Sequence, residues 1–239
     1  MQKQKSRKKP FELQLQESYK RSIKDYCQLR QELESQRILD KLFFDGTPRY
    51  RSIHSNHILH KVYYLDFYSL PSYGKTKLGW YVQKAKVGDK LSIRFVDAIA
   101  ERLKKPLDIL IKQKAVDALL WVPHSLSRQV SLMDELKKNL ASYLPQISVM
   151  KAFQAEVIPQ KSISDLQARI KNALSSNHIL TNKKQLSAFK HILIIDDAIG
   201  SNATIQSIAT RLKQSVPEIT ISAISVVGSL EGFDVIQDI

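Results

Sequence analysis

Two adjacent aspartates followed by a loop of small residues are the feature of this sequence that most directly suggests chemistry. Asp196 and Asp197 come after the apolar residues 192–195 (ILII), and a loop at 200–204 (GSNAT) comes shortly after them. In an open parallel sheet, ligands bind beyond the carboxyl ends of the strands, and the free amides at the start of a helix favour phosphate. The pattern therefore predicts an anion-binding loop beside two carboxylates that can accept hydrogen bonds from a diol.

Two other interpretations of the acid pair are open. Paired acids can simply keep the tip of a buried strand solvated, without any ligand. A receiver domain also has paired acids after a strand, but near its start and with a further strand-end aspartate and a lysine downstream. Only 43 residues follow Asp196, so the receiver pattern fits poorly.

Strands and helices alternate along most of the chain. Apolar and β-branched runs predict strands at 60–68, 117–123, 147–153, 191–195 and 219–227. Helical spacing of apolar residues predicts helices at 11–44, 129–143, 164–175 and 203–212, and two more within 78–103, interrupted near Gly88. This alternation predicts an α/β fold with a mostly parallel sheet and helices on both faces. Gly46 and Pro48 mark a boundary, so we expect a basic tail and helical extension at 1–46 and a main domain at 47–239.

The acid pair and its loop resemble the phosphoribosyl pyrophosphate signature of type I phosphoribosyltransferases, in which two acids are followed by a loop of the form TTGAT. The resemblance implies that Asp196 and Asp197 face the 2- and 3-hydroxyls of a ribose. It implies that the loop around the 5-phosphate consists of Gly200, Ser201, Asn202, Ala203 and Thr204. Asn202 stands where the family has its loop glycine, and asparagine tolerates left-handed backbone angles better than most residues. The other departures from the family pattern are Ala198, for a larger aliphatic residue, and Gly200, for a hydroxyl residue.

Weaker segments resemble the ComF branch of the same fold. The loop after residues 117–123 is expected to meet the pyrophosphate through His124 and Ser125, with Arg128 close behind. The stretch at 159–173 (PQKSISDLQARIKNA) resembles a mobile lid, so Lys161 and Arg169 are expected to close over the leaving diphosphate. A solvated helix start and an ordinary polar loop are the alternatives for these two segments. A further segment, WYVQKAKVGD, matches at Lys84.

The resemblance favours an enzyme of the phosphoribosyltransferase class, a glycosyltransferase that acts on a pentosyl group. Its substrate would be phosphoribosyl pyrophosphate, or its ligand ribose 5-phosphate, and a nitrogen nucleophile would displace pyrophosphate at ribose C1. The catalytic residues that it implies are Asp196, Asp197, Arg169 and Lys161. It also implies Mg²⁺, carried by the substrate and not ligated directly by side chains. The acceptor is not encoded in any of these motifs.

The charge of the chain favours polyanionic partners. With 37 basic and 23 acidic residues, the formal net charge is +14. ComF relatives are linked to DNA uptake and processing, so a non-catalytic ComF-like protein of that kind is the alternative function, and nucleic acid is a candidate partner. A lysine-rich soluble surface would account for the same charge.

The content of cysteine and apolar runs bears on the cellular location of the protein. Cys27 is the only cysteine, and the zinc ribbon of the ComF family is therefore absent. Single cysteine usage fits a reducing compartment, and no run approaches a membrane span, so a cytoplasmic, membrane-free protein is expected. Dimerisation through the N-terminal helix is compatible with either function. His54, His57 and His60 stand three apart, but no cysteine or acid completes a metal site, so we disfavour that interpretation.

Overall fold

The computed structural model describes residues 11–123, 130–140, 144–151 and 166–230, without the side chains of 11–21, 151, 166, 167 and 169. The chain divides into two compact units, residues 1–41 and 42–239. This division falls a little before the boundary that the sequence suggests at residue 46. The two-domain assignment itself stays a prediction.

The first unit contains helix α1 (Phe11–Ser35). The sequence pattern predicts a helix as far as residue 44, and this part of the prediction is wrong. Leu39, Asp40 and Lys41 have φ values of 48, 56 and 59°. An L-residue reaches that left-handed region singly but cannot continue a right-handed helix there. The helix therefore ends well before the first strand begins.

The second unit is built on one six-stranded sheet. Its strands are β1 (Phe44–Asp45), β2 (Lys61–Phe67), β5 (Ala118–Trp121), β6 (Gln146–Ile147), β9 (His191–Ile199) and β10 (Thr220–Gly228). Their order across the sheet is β1-β2-β10-β9-β5-β6. All neighbours are parallel except β1, which runs antiparallel to β2.

The second unit also contains helices and two small two-stranded sheets. The helices of the second unit are α2 (Thr47–Ile53), α3 (Lys77–Ala85), a 3-10 turn (Lys90–Ser92), α4 (Ile93–Gln113), α5 (Leu132–Asn139), α6 (Leu166–Ser176), α7 (Lys183–Leu186) and α8 (Ala203–Ser215). The small antiparallel pairs are β3 (Ser69–Leu70) with β4 (Gly74–Lys75), and β7 (Val149–Lys151) with β8 (Asn177–Ile179). The strand predicted at 147–153 is thus divided, because β6 belongs to the main sheet and β7 pairs elsewhere. The predicted break near Gly88 is confirmed, since Gly88 has a φ of 79° between α3 and α4.

The core lies on both faces of the central strands. Four successive residues of β9, 192–195, are fully buried, so neither face of that strand meets solvent. On one face, Ile192 and Ile194 belong to a hydrophobic cluster with Ile208 and Leu212 of α8. Burial on both faces is typical of parallel sheets that helices cover. The predicted α/β class, with a mostly parallel sheet and helices, is confirmed.

Within the described residues, no helix combines the length and apolar character that crossing a membrane requires.

Candidate functional site

The acid pair lies where β9 extends beyond its neighbour. β9 remains paired with β10 to its last residue, whereas its pairing with β5 stops at Ile195, opposite Trp121. Asp196 and Asp197 follow directly and are half-buried. They therefore stand at the edge where the carboxyl ends of the parallel strands meet, which is the ligand-binding edge of such a sheet.

A short loop of small residues then joins β9 to α8. Asn202 precedes the helix with a φ of 60° and a ψ of 9°, in the left-handed region that asparagine adopts more readily than most residues. Ala203 begins the helix, and the amide of Gln206 donates to the carbonyl of Asn202 at 2.8 Å. The first amides of a helix have no carbonyl partner within it, and its dipole places partial positive charge at the same end. The loop thus places a left-handed residue directly before the first amides of a helix.

The side chain of Asn202 does not cap the helix that it precedes. It is only 6% exposed, and its Oδ1 atom is buried with no hydrogen-bond partner in the described part of the chain. A buried amide that makes no hydrogen bond costs about 1 to 3 kcal/mol. Because an amide group presents both a donor and an acceptor, Asn202 can serve a ligand of either kind in the loop.

Lys86, a residue that the sequence motifs do not indicate, forms an ion pair with one of the two acids. Lys86 follows the last turn of α3, and its Nζ atom lies 2.8 Å from Oδ1 of Asp197. The two side chains are 18% and 17% exposed, so their attraction is stronger than that of a surface pair. Oδ1 of the other acid, Asp196, accepts a hydrogen bond from the amide of Asp197 at 2.8 Å.

The spacing of buried residues in α3 explains why Lys86 reaches the site and Lys84 does not. Leu78, Val82 and Ala85 are buried and share one helix face. Lys86 adjoins that face, whereas Lys84 lies on the exposed side, with its Nζ 5.8 Å from the centre of the Trp80 ring. Lys84, the ComF-like match to which the sequence assigns no role, therefore does not contact Asp197, whereas the helical period of the buried residues is consistent with the position of Lys86.

His54 forms a hydrogen bond with the backbone of the loop. It follows α2, is 4% exposed, and donates from Nε2 to the carbonyl of Ser201 at 2.8 Å. Burial lowers the pKa of His54 below its ordinary value of 6.5, which favours the neutral imidazole. The ring of Tyr50 lies 5.1 Å from the His54 ring. A segment distant in sequence thus fixes the backbone of the loop between β9 and α8.

The same segment holds the first turn of α8. The hydroxyl of Tyr50 donates to Oε1 of Gln206 at 2.6 Å and accepts from the amide of Leu59 at 3.2 Å. Nε2 of Gln206 donates in turn to the carbonyl of Asn56 at 3.2 Å. Tyr50 and Gln206 are both buried, so this network is shielded from water. The start of the helix is therefore fixed from outside the signature motif.

Two of the three histidines considered as metal ligands contact backbone carbonyls instead. His54 binds the loop carbonyl, and Nε2 of His57 lies 3.1 Å from the carbonyl of Arg51. In the described ranges no three side chains of the His, Cys, Asp or Glu type are grouped as a metal site would require.

The structure brings together only some of the residues that the sequence predicts for the site. The predicted residues that it places at one edge of the sheet are Asp196, Asp197, Gly200, Ser201, Asn202, Ala203 and Thr204. His124, Ser125, Arg128 and Lys161 lie outside the described residues, and Arg169 is described only as a backbone position in α6. The pyrophosphate loop and the lid therefore stay predictions.

Comparison with known proteins gives backbone similarities alone. No protein-family model matches the chain, and no curated protein matches it in sequence. A hypoxanthine phosphoribosyltransferase from Staphylococcus aureus is similar with 13% identity and a TM-score of 0.31, over 57% of this chain and 65% of that one. A xanthine-guanine-hypoxanthine phosphoribosyltransferase from Helicobacter pylori is similar with 15% identity and a TM-score of 0.30, over 59% of this chain and 84% of that one. The chain thus spans less than two thirds of the Staphylococcus aureus enzyme, and we base the functional proposal on the site itself.

Proposed function

We propose that this site binds the ribose 5-phosphate part of phosphoribosyl pyrophosphate and transfers it to a nitrogen acceptor with release of pyrophosphate. The observation that carries the proposal is the left-handed Asn202 between an acid-tipped parallel strand and the start of α8. That arrangement offers amide donors to a phosphate and, a few residues before them, carboxylate acceptors to a diol. A ribose 5-phosphate presents both groups in one molecule.

Different residues of the site would bind the phosphate and the ribose. Backbone amides of the loop, with the hydroxyls of Ser201 and Thr204, donate to the 5-phosphate, which the helix dipole also attracts. Asp196 and Asp197 accept hydrogen bonds from the ribose hydroxyls and so orient C1 towards the acceptor. The bond from the acceptor nitrogen to C1 forms as the bond from C1 to the pyrophosphate oxygen breaks, and the acceptor loses its proton to solvent.

Lys86 would add a charge that the family resemblance does not supply. Its ammonium group compensates Asp197 before the substrate arrives, at 2.8 Å. A ribose hydroxyl that reaches Asp197 displaces part of this contact, and the lysine is then free to turn towards a phosphate oxygen. The charge of Lys86 thereby reduces the electrostatic repulsion between the acid pair and an anionic substrate.

Magnesium fits this scheme as a companion of the substrate. Mg²⁺ keeps several of its waters and readily takes substrate phosphate oxygens as ligands. It would therefore be carried by the diphosphate and not ligated directly by side chains, while Asp196 and Asp197 orient the ribose hydroxyls beside it. When bound, the ion would offset the charge of the departing pyrophosphate. Lys161 and Arg169 are proposed to close over the same group.

Calorimetric titration with phosphoribosyl pyrophosphate and Mg²⁺ tests the binding part of the proposal. We expect saturable binding that the double variant Asp196→Asn with Asp197→Asn weakens strongly. Thr204→Ala should weaken binding roughly tenfold or more, since a hydrogen bond to a charged group contributes about 1.5 to 3 kcal/mol. Thr210→Ala is the matched control, because Thr210 lies later in α8 and donates to the carbonyl of Gln206. Binding that is undetectable at millimolar ligand, or that the double variant leaves unchanged, would contradict the assignment.

Release of pyrophosphate across a panel of nucleobases and amines tests the transfer part. Activity lost in the same double variant would support catalysis at this site. Binding without release of pyrophosphate from any acceptor would instead favour the second candidate function.

The second candidate is a non-catalytic ComF-like protein, active in DNA uptake or processing, that retains the fold as a sensor or scaffold. The ion pair between Lys86 and Asp197 favours it, because one of the two acids already has a charged partner. The buried side chain of Asn202, at the position of the family's loop glycine, points the same way. Tight binding of ribose 5-phosphate with no turnover is the result that this candidate requires.

A further inference from the structure

A cluster of three aromatic rings lies on the surface of α3 and α4, distinct from the residues of the proposed site. The rings of Trp80 and Phe95 meet edge to face with centres 5.1 Å apart, and the ring of Tyr81 lies 5.8 Å from Trp80 and 6.0 Å from Phe95. Trp80 is 42% exposed, whereas the chain's other tryptophan, Trp121, is 7% exposed. A large aromatic side chain gains more from burial than almost any other, so an exposed one in a cluster indicates a binding surface.

Cationic side chains flank these rings. Nζ of Lys84 lies 5.8 Å from the centre of the Trp80 ring, and Cζ of Arg94 lies 4.7 Å from that of Phe95. Lys77 and Arg102 approach the ring of Tyr81 at 6.0 and 4.9 Å. We call these seven residues the aromatic–cationic surface: Lys77, Trp80, Tyr81, Lys84, Arg94, Phe95 and Arg102. All four cations are exposed, so their charges remain available to a ligand.

The excess positive charge of the chain is concentrated in this segment. Residues 74–105 contain nine lysines and arginines and three acids, a net charge of +6 out of +14 for the whole chain. Each of the three acids has a partner: Asp89 accepts from Ser92, Asp97 accepts from Asn139, and Glu101 pairs with Lys104. Among the described residues, none of these acids forms an ion pair with the four cations of the surface. The complementary ligand is therefore a polyanion.

The combination of aromatic rings and cations favours one class of polyanion over the others. An acidic polypeptide would satisfy the cations but leave the face of Trp80 without a planar partner. Duplex nucleic acid offers phosphates, but its bases are stacked on each other and their faces are hidden. Single-stranded nucleic acid presents both phosphates and open base faces, and proteins bind it through aromatic platforms within positively charged grooves.

We propose that the aromatic–cationic surface binds single-stranded nucleic acid, with a base stacked on Trp80 and the adjacent phosphates held by the flanking lysines and arginines. This inference does not depend on the proposed phosphoribosyl chemistry, because it uses none of the residues assigned to that site.

Titration of the full chain with fluorescein-labelled oligonucleotides tests the proposal at low salt. The probes are a 20-nucleotide oligothymidylate, an oligouridylate of equal length, and a 20-base-pair duplex, and the first two distinguish DNA from RNA as the source of the strand. We expect tighter binding of a single strand than of the duplex. With an unlabelled strand, the intrinsic fluorescence should be quenched in the parent protein but not in Trp80→Leu, whose remaining Trp121 is buried.

Variants separate stacking from charge. Trp80→Leu should weaken single-strand binding about tenfold, as expected for the loss of one stacked base. Arg94→Gln with Arg102→Gln should reduce the steepness of the logarithmic salt dependence by about 1.4, since each phosphate contact of a single strand contributes about 0.7. The matched controls are Tyr26→Leu, another exposed ring, and Lys183→Gln with Lys184→Gln, two exposed cations of α7. Unchanged thermal unfolding of the surface variants verifies that they fold.

Several results would overturn the proposal. Absence of strand binding at low salt is one, and equal affinity of Trp80→Leu and the parent protein is another. If the control variants lost as much affinity as the surface variants, binding would not be specific to the aromatic–cationic surface. Binding of polyglutamate without binding of either strand would assign the surface to an acidic protein.

Discussion

At the scale of single residues, Asn202 decides the form of the proposed phosphate loop. Its φ of 60° is a conformation that glycine adopts without cost, asparagine with little, and β-branched residues with considerable strain. Its side chain is also buried, at 6% exposure, and a glycine would remove it from the loop. Two substitutions at position 202 can therefore distinguish the effect of the backbone conformation on binding from the effect of the side chain.

We predict that Asn202→Gly retains or tightens binding of ribose 5-phosphate and that Asn202→Val abolishes it. Glycine keeps the left-handed turn and removes the side chain from the loop, whereas valine strains the turn and crowds the phosphate. Calorimetric titration of both variants measures the difference. As a control, Asn182→Val removes the side-chain cap of α7, where the φ is an ordinary −71°, and should leave phosphate affinity unchanged. Equal affinities of the glycine and valine variants would show that the loop does not bind phosphate in this form.

At the scale of elements, α2 and the residue after it fix the loop between β9 and α8. Burial is the main cause of the lowered pKa of His54, and it favours the neutral imidazole in the folded protein. The unfolded chain takes up this proton at higher pH than the folded protein does. Stability due to neutral His54 is therefore complete above pH 6.5 and is lost as the pH falls through 6.5 towards the lower pKa of the folded state.

We predict that His54→Gln flattens the dependence of stability on pH below 6.5. Glutamine carries an N–H donor that can reach the Ser201 carbonyl but has no proton to take up in this range. Urea unfolding at pH 7.5, 6.5 and 5.5 measures the effect. His60, whose pKa is also lowered mainly by burial, continues to titrate in the variant and accounts for the residual slope. His57→Gln is the control, and a slope that His54→Gln leaves unaltered would exclude this role.

The position of Lys86 depends on how closely α3 approaches the strand end after β2. A Cβ atom on Gly79 would lie 1.9 Å from the carbonyl oxygen of Tyr68, which is backbone and cannot move aside cheaply. The same carbonyl accepts the amide of Thr76, the residue that caps α3. A larger residue at position 79 must push the helix, and Lys86 with it, away from the sheet.

We predict that Gly79→Ala destabilises the protein by about 3 kcal/mol, at the upper end of the usual range for overpacking. Urea unfolding measures the loss, and phosphoribosyl pyrophosphate affinity should fall as well because Lys86 is displaced from Asp197. Gln83→Ala on the same helix serves as the control and should change stability by less than about 0.5 kcal/mol. A stable Gly79→Ala protein with unaltered affinity would mean that the helix does not require this close approach.

At the scale of the whole molecule, the sequence predicts what is local and fails where distant segments meet. The class of the fold and the strand, acid pair, loop and helix of the signature follow from hydrophobic period and residue type within short windows. The roles of His54 and Lys86 do not, since they come from α2 and α3 and reach the loop only once β2, β9 and β10 pair. Helix α1 is predicted too long because apolar spacing continues past Ser35. The left-handed residues at 39–41, which prevent a helix from continuing to residue 44, carry no obvious stop signal in the sequence.

The distribution of charge is a second property of the whole molecule. The net charge of +14 divides between the segment at 74–105 and other regions, among them the first nine residues, which hold five lysines and arginines and no acid. Residues 1–45 together have eleven cations and seven acids, a net charge of +4. Most of the charge available to a polyanion within the N-terminal region therefore lies in its first nine positions, which are outside the described residues.

We predict that deletion of residues 1–9 weakens binding of nucleic acid and flattens its salt dependence without changing the affinity for ribose 5-phosphate. Each phosphate that the tail neutralises on duplex DNA contributes roughly 0.9 to the logarithmic salt slope, so contact with even two phosphates is measurable. Titrating the full and truncated chains with the duplex between low and physiological salt gives both slopes. The variant Arg94→Gln with Arg102→Gln, made in each background, shows whether the tail and the aromatic–cationic surface act independently, in which case their effects on the slope add. A truncated chain with the slope and affinity of the full chain would mean that the tail makes no contact with DNA, and all of the binding would then have to come from residues after position 9.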